Sequence, residues 1–186
     1  MAVSASDPNA AIGGRVYALT VLAAIRPECR ARVRAALRAL PRRRSPFADV
    51  EGTHFARLVI VDELVGQPAL GRQFLLFSVV FDGLTAEDRD AYAERVCKAA
   101  PPVVDGVLAC CYGQPSANDP EGFAAWLAAR QIETLAFYFG ADATVAEVRD
   151  ALALRERVRA FARETQYAAA PELRDRFRRA FPAVAP

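Results

Sequence analysis

The chain is poor in the residues from which most active sites are built. Its 186 residues include one histidine, one methionine, one tryptophan and, as its only lysine, Lys98. A single imidazole leaves no multi-histidine metal centre. The four cysteines (Cys29, Cys97, Cys110, Cys111) lack the paired C-x-x-C spacing of a zinc site, so no metal site is expected. Cys110 and Cys111 are adjacent and on a strand would point to opposite faces, which disfavours a bond between them; buried free thiols are the expectation. No apolar run approaches the ~18 residues of a membrane span, and the N-terminus lacks a basic segment followed by an apolar one. A cytoplasmic protein without a membrane span is expected. Charge of neither sign is in excess: 24 basic and 22 acidic side chains leave +2. That removes any global attraction to nucleic acid or anionic membrane. A glycine-rich phosphate loop, a nucleophile elbow and a paired-carboxylate site are also absent.

What the chain has is apolar surface. Hydrophobic residues make up 53% of it, ample for one domain with an elaboration. Residues 1–14 are small and polar, end in Gly13-Gly14, and read as a flexible leader. From Arg15, Tyr17, Leu19, Val21 and Ala23 alternate with Val16, Ala18, Thr20 and Leu22, giving a strand largely apolar on both faces. Pro27 opens a helix to Leu40, buried through Cys29, Val33, Ala36, Leu37 and Leu40. Arginines 30, 34 and 38 run beside that stripe. A loop from Pro41 leads to a strand at His54, and Phe74–Asp82 forms its hairpin partner across a broad connection. Thr85 and Asp88 make a capping-box start for a helix that ends at Pro101-Pro102. Val103–Tyr112 reads as a short apolar strand. Beyond it, Asn118 or Asp119 caps a helix with Pro120 in its first turn, and Thr134–Gly140 reads as another strand. Thr144 and Glu147 open a long helix that buries Val145, Val148, Leu152, Val158 and Phe161, and Pro171–Phe181 is a last amphipathic helix.

Two β-α-β halves with a hairpin between them are the pattern of a ferredoxin-like α+β fold, an antiparallel sheet with helices on one face. Either Val103–Tyr112 or Thr134–Gly140 would complete its four strands. The expected organisation is leader 1–14, domain 15–166 with a C-terminal elaboration, and an amphipathic helix in 167–186. Because the strands are apolar on both faces, packing of two sheets into a homodimeric barrel would cover the second face and enclose a cavity.

Ser45-Pro46-Phe47, Thr53-His54-Phe55-Ala56-Arg57, Cys111-Tyr112-Gly113-Gln114-Pro115 and Ala136-Phe137-Tyr138-Phe139-Gly140 carry a resemblance to a group of poorly characterised bacterial dimeric α/β-barrel proteins. It covers roughly residues 15–165. The resemblance implies a ferredoxin-like dimeric barrel, and an association of some members with peroxidase-like or lipoxygenase-like oxidative enzymes. Similar proteins often carry a second histidine just before the cysteine of the turn, where this chain has Cys110. The wider superfamily includes haem-binding enzymes, whose axial histidine usually sits in a different context from His54; haem is therefore the third reading.

His54, at the mouth of an apolar strand, is the candidate acid or base, or a ligand-orienting group. Its alternative is structural, with the ring bonded to nearby loop carbonyls. By alternation His54, Ala56, Leu58 and Ile60 face one side and Thr53, Phe55, Arg57 and Val59 the other. Arg57 either binds a ligand carboxylate or pairs with Asp62, Asp82 or a dimer partner's acid. Thr20 and Ser78 offer hydroxyls to a pocket or to local backbone. Tyr17 and Tyr112 offer polar groups, and Tyr138, Phe74, Phe77, Phe137 and Phe139 add aromatic walls or plain core. Arg26, Arg30, Arg32, Arg34, Arg38, Arg42, Arg43 and Arg44, opposed only by Glu28, form a face for an acidic partner or for solvent. The leading expectation is a cavity for a hydrophobic small molecule, worked on without a cofactor and lipid-like or polyketide-like in kind. The runner-up is a non-catalytic module that assembles with an oxidative enzyme.

Overall fold

The computed structural model describes residues 9–11, 14–63, 65–116, 118–140 and 143–182. The fold is α+β. Strands β1 (Val16–Ala24), β2 (Thr53–Val61) and β3 (Phe74–Asp82) form an antiparallel sheet in the order β1-β3-β2, compatible with a ferredoxin-like arrangement. The register pairs Thr20 with Ser78 and Arg57 with Ser78 on its other side, so these three residues share one rung.

One sheet face is sealed. Tyr17, Leu19, Val21 and Ala23 of β1 and Leu75, Phe77, Val79 and Phe81 of β3 are at most 1% exposed. They share a core with α1 (Arg30–Ala39), α2 (Ala86–Ala99) and α4 (Pro120–Ala128) through Val33, Tyr92, Val96, Phe123 and Leu127. The other face carries Ala18, Thr20, Leu22, Leu76, Ser78, Val80, Phe55, Arg57 and Val59, none of them buried. Of the two apolar faces, α1, α2 and α4 pack on the first.

The helix starts follow their sequence signals. Thr85 Oγ1 accepts the Asp88 amide while the Asp88 carboxylate accepts the Thr85 amide, a complete capping box. Asp119 caps α4 by accepting the Gly122 amide at 2.9 Å, with Pro120 in the first turn.

The two segments read as completing strands do neither. Pro101-Pro102 starts a helical turn, α3 (Pro101–Val104), and Leu108–Cys110 is a 3-10 turn. Val103, Val104, Val107, Leu108, Cys110 and Cys111 are all buried while Asp105 and Tyr112 are exposed, a short apolar run whose spacing does not separate strand from helical turn. Residues 132–140 are irregular. Cys111 of the first segment bridges Ile25, one residue past β1, and Gln131, three residues before the second, bridges Val21 of β1. The expected leader lies mostly outside the described residues. Where it is described it is pinned: the Ala11 amide donates to Val16 O and the Ala18 amide to Asn9 O, both at 2.8 Å.

The chain divides into two compact units, Met1–Val145 and Ala146–Pro186. The second is held by aromatic contacts. At the end of α5 (Val145–Thr165), Phe161 meets Phe177 and Phe181, at the end of α6 (Ala170–Ala180), with centroids 5.9 and 5.5 Å away. Of the face expected to be buried on α5, Val145 is buried and Phe161 half-buried. Val148, Leu152 and Val158 are exposed, because a helical apolar stripe marks a face able to be buried without supplying its cover. No described helix is long and apolar enough to cross a membrane.

Candidate functional site

The site begins at an irregularity in β2. Thr53 pairs with Phe81 and Phe55 with Val80, which leaves His54 as an extra residue, a β-bulge. Thr53 is held on the core side: its Oγ1 donates to Val50 O and accepts the Tyr92 phenol, each at 2.9 Å. Tyr92 stacks on Phe81 with centroids 4.1 Å apart, and burial pushes its phenol up to about 12, so it stays a neutral donor. Phe55 and Arg57 fall on the open face with Ser78 and Val80.

The bulge sends His54 to Asp82, which alternates onto the same face as Ser78 and Val80. Nε2 lies 2.7 Å from Asp82 Oδ1, and the histidine side chain is 9% exposed. The carboxylate also accepts the Val145 amide, 3.2 Å from each oxygen. Gly52 makes room for it: at φ +79° a Cβ would sit 3.3 Å from Asp82 Cβ and Oδ2. The Asp82 amide donates to Gly52 O at 2.9 Å. Phe139 sets its ring against the imidazole edge-on, centroids 5.1 Å apart.

This geometry fixes the neutral tautomer. A carboxylate only accepts, so Nε2 carries the proton and Nδ1 keeps the lone pair. Among the described residues Nδ1 has no hydrogen-bond partner. An oriented imidazole with a free basic nitrogen is the arrangement of a general base.

Of the other predicted site residues, Thr20 and Ser78 meet at the centre of the open face, hydroxyl oxygens 3.1 Å apart. Arg57 flanks them, exposed and not buried as its strand position suggested. Its expected acidic partners are engaged elsewhere, Asp62 by Arg34 and Gln73 and Asp82 by His54. Alternation read without the bulge put His54 and Arg57 on opposite faces; the extra residue brings them to the same one. Tyr17 is on the core side, fully buried against Phe81, with its hydroxyl 3.4 Å from Gln131 Nε2. Tyr112 is 47% exposed beside Ala24, at the opposite end of β1 from the Asp82 rung. Neither joins His54.

The partner role of Asp82 for His54 was missed in the sequence. Counting the hairpin register from its turn sets His54 opposite Phe81; the bulge that moves Thr53 to Phe81 and turns His54 towards Asp82 has no signal in the sequence. The four cysteines are free and buried. Burial raises the Cys111 thiol to about 12 and the Cys97 thiol to about 11. Arg32 Nε donates to Cys110 Sγ at 3.3 Å. Among the described residues no group of three or more His, Cys, Asp or Glu side chains is placed to hold a metal ion. No family model matches the chain, and no curated protein or solved structure matches it either.

Proposed function

We propose that the open sheet face binds an apolar small molecule carrying an anionic group, and that His54 moves a proton on it. The observation that carries this reading is an oriented imidazole whose Nδ1 has no partner among the described residues, on the same face as Arg57, whose guanidinium has none among them either. Three residues of strand separate the two, roughly 10 Å. That span suits a ligand whose carboxylate sits on the guanidinium while its reacting C–H or O–H lies at Nδ1. The Thr20–Ser78 hydroxyl pair supplies a donor or acceptor between them, and Ala18, Leu76, Val80 and Val59 form an apolar floor.

Water must be kept from such a floor. α1, α2 and α4 lie on the opposite face, so a second copy of the sheet, packed face to face as a homodimeric barrel, is the cover we propose. Phe55 and Leu22, 48% and 37% exposed, are the apolar side chains that gain most from it. The reaction class is proton transfer without a cofactor, on an oxidised lipid-like or polyketide-like substrate.

Two measurements test this. Native mass spectrometry of protein purified from its own cells should show a dimer of twice 20.2 kDa carrying a small-molecule adduct. Decanoate, used as the probe, should bind at least about tenfold more tightly than decanol, a difference of about 1.4 kcal/mol that Arg57→Ala removes. A bare monomer that binds both equally refutes the reading.

A further inference from the structure

β2 is a nine-residue edge strand, Thr-His-Phe-Ala-Arg-Leu-Val-Ile-Val, paired on one side only. Alternate backbone N–H and C=O groups of such a strand point away from the sheet. Natural edges are blunted by lysine, proline, shortness or a covering element. Here the bulge is at the start of the strand, and from Phe55 to Val61 the edge carries Arg57 as its one charge.

Beside this edge runs a groove. Its first part, about 350 Å³, is lined by Arg34, Leu37, Arg38, Leu58, Val59 and Ile60. Val59 and its two neighbours face opposite sides of the sheet, so a space that all three line lies at the strand's edge. The second part, about 320 Å³, is lined by Leu37, Leu40, Pro46, Phe47, Ala56 and Leu58. The two parts share Leu37 and Leu58, and step along β2 from Ala56/Leu58 to Leu58/Ile60, two residues on. That is the repeat at which a strand presents successive side chains on one face, about 6.6 Å.

We propose that this edge takes an extended acidic peptide from a partner protein as a fourth strand of the sheet. The ladder to β2 supplies affinity and the two cavities supply sequence preference. An apolar side chain enters the cavity of Leu40, Pro46 and Phe47. The side chain two residues away, an aspartate or glutamate, reaches Arg38, whose guanidinium has no partner among the described residues; Arg34 is taken by Asp62. Charge decides against a second copy as the occupant. Pairing β2 with β2 about a two-fold axis would bring the two α1 helices together, and with them Arg30, Arg34, Arg38 and the arginines 42–44, against which residues 26–44 hold only Glu28. The inference does not rest on the sheet-face reading, since the groove lies on the helix side of the edge.

The test is fluorescence anisotropy with labelled, end-blocked threonine peptides carrying one leucine and, two residues before or after it, one glutamate. Saturable binding is expected. Lysine in place of glutamate should weaken it at least about tenfold, and Arg38→Glu, an exposed helix substitution, should reverse the preference. Methylating alternate backbone nitrogens along the pairing edge should abolish binding. Equal binding of the glutamate and lysine peptides, binding that survives methylation, no binding at all, or a β2 edge protected by self-association would each overturn the proposal. Decanoate binding, read on the same protein, distinguishes failure here from failure of the sheet-face reading.

Discussion

Asp82→Asn keeps the shape of the carboxylate and removes its charge, with a consequence that reaches the free nitrogen of His54. Asp82 accepts from two donors, His54 Nε2 and the Val145 amide. Asparagine offers one acceptor oxygen and one donor group. A backbone amide can only donate whereas the imidazole can accept, so the expected arrangement gives the oxygen to Val145, 3.2 Å from both carboxylate positions, and turns the NH2 towards the imidazole. His54 then accepts at Nε2 and carries its proton on Nδ1, which converts the unbonded base nitrogen into a donor. Hydrogen bonds to charged groups contribute about 1.5–3 kcal/mol each and neutral ones about 0.5–1.5. Exchanging two of the first for two of the second, at a carboxylate that is 26% exposed, costs about 1–2 kcal/mol. For a chain of this length Tm falls by about 2–8 °C. A long-range 1H–15N correlation at about pH 8.5, above the ordinary imidazole range, reads the tautomer directly, since the protein has one histidine. Nδ1 should be pyridine-like in the parent and pyrrole-like in the variant. An unchanged tautomer, or a Tm moved by less than about 1 °C, would refute the dyad.

Other expectations follow from the same geometry. His54→Ala should abolish turnover of a substrate found by native mass spectrometry while leaving the dimer intact; an unchanged rate removes His54 as acid or base. The capping-box hydrogen bonds from the Leu84 and Thr85 amides hold the Asp88 carboxyl below its usual value. Its contribution to stability is therefore fully present above the ordinary carboxylate pKa of about 3.9 and is lost as pH falls through the lowered native value. Urea midpoints should show that acid-side loss in the parent and a flatter profile in Asp88→Ala. Burial raises the Cys97 and Cys111 thiols to about 11 and 12, so a chromogenic disulfide reagent at neutral pH should label all four cysteines in urea and these two only slowly in the native state. Tyr92→Phe leaves the Thr53 hydroxyl bonded to Val50 O and removes one buried hydrogen bond, an expected loss of about 1 kcal/mol by chemical denaturation.

β1, the β2–β3 hairpin and the helix starts are legible in the sequence because there a local signal has a local cause. Thr85 and Asp88 cap a helix because four bonds fit within one turn, and Asp119-Pro120 starts one for the same reason. Where the deciding contact is distant the sequence is silent: Val103–Tyr112 is apolar enough to be a strand, and its buried residues pack as helical turns instead. The open sheet face was legible as apolar alternation, but its polar residues were sorted wrongly because a bulge shifts phase without leaving a composition signal. Arg57 looks buried from its neighbours in the strand and is exposed because α1, α2 and α4 cover the other face.

The bulge at His54 also separates two tasks that a regular strand would couple. The phase of Thr53 is set by Tyr92, and the phase from Phe55 onwards by pairing with β3. Residue 54 sits between these two settings and answers to neither. A side chain there is displayed by the backbone without being needed to keep strand register, so position 54 is a socket: its occupant can be exchanged while the core on either side of it stays the same.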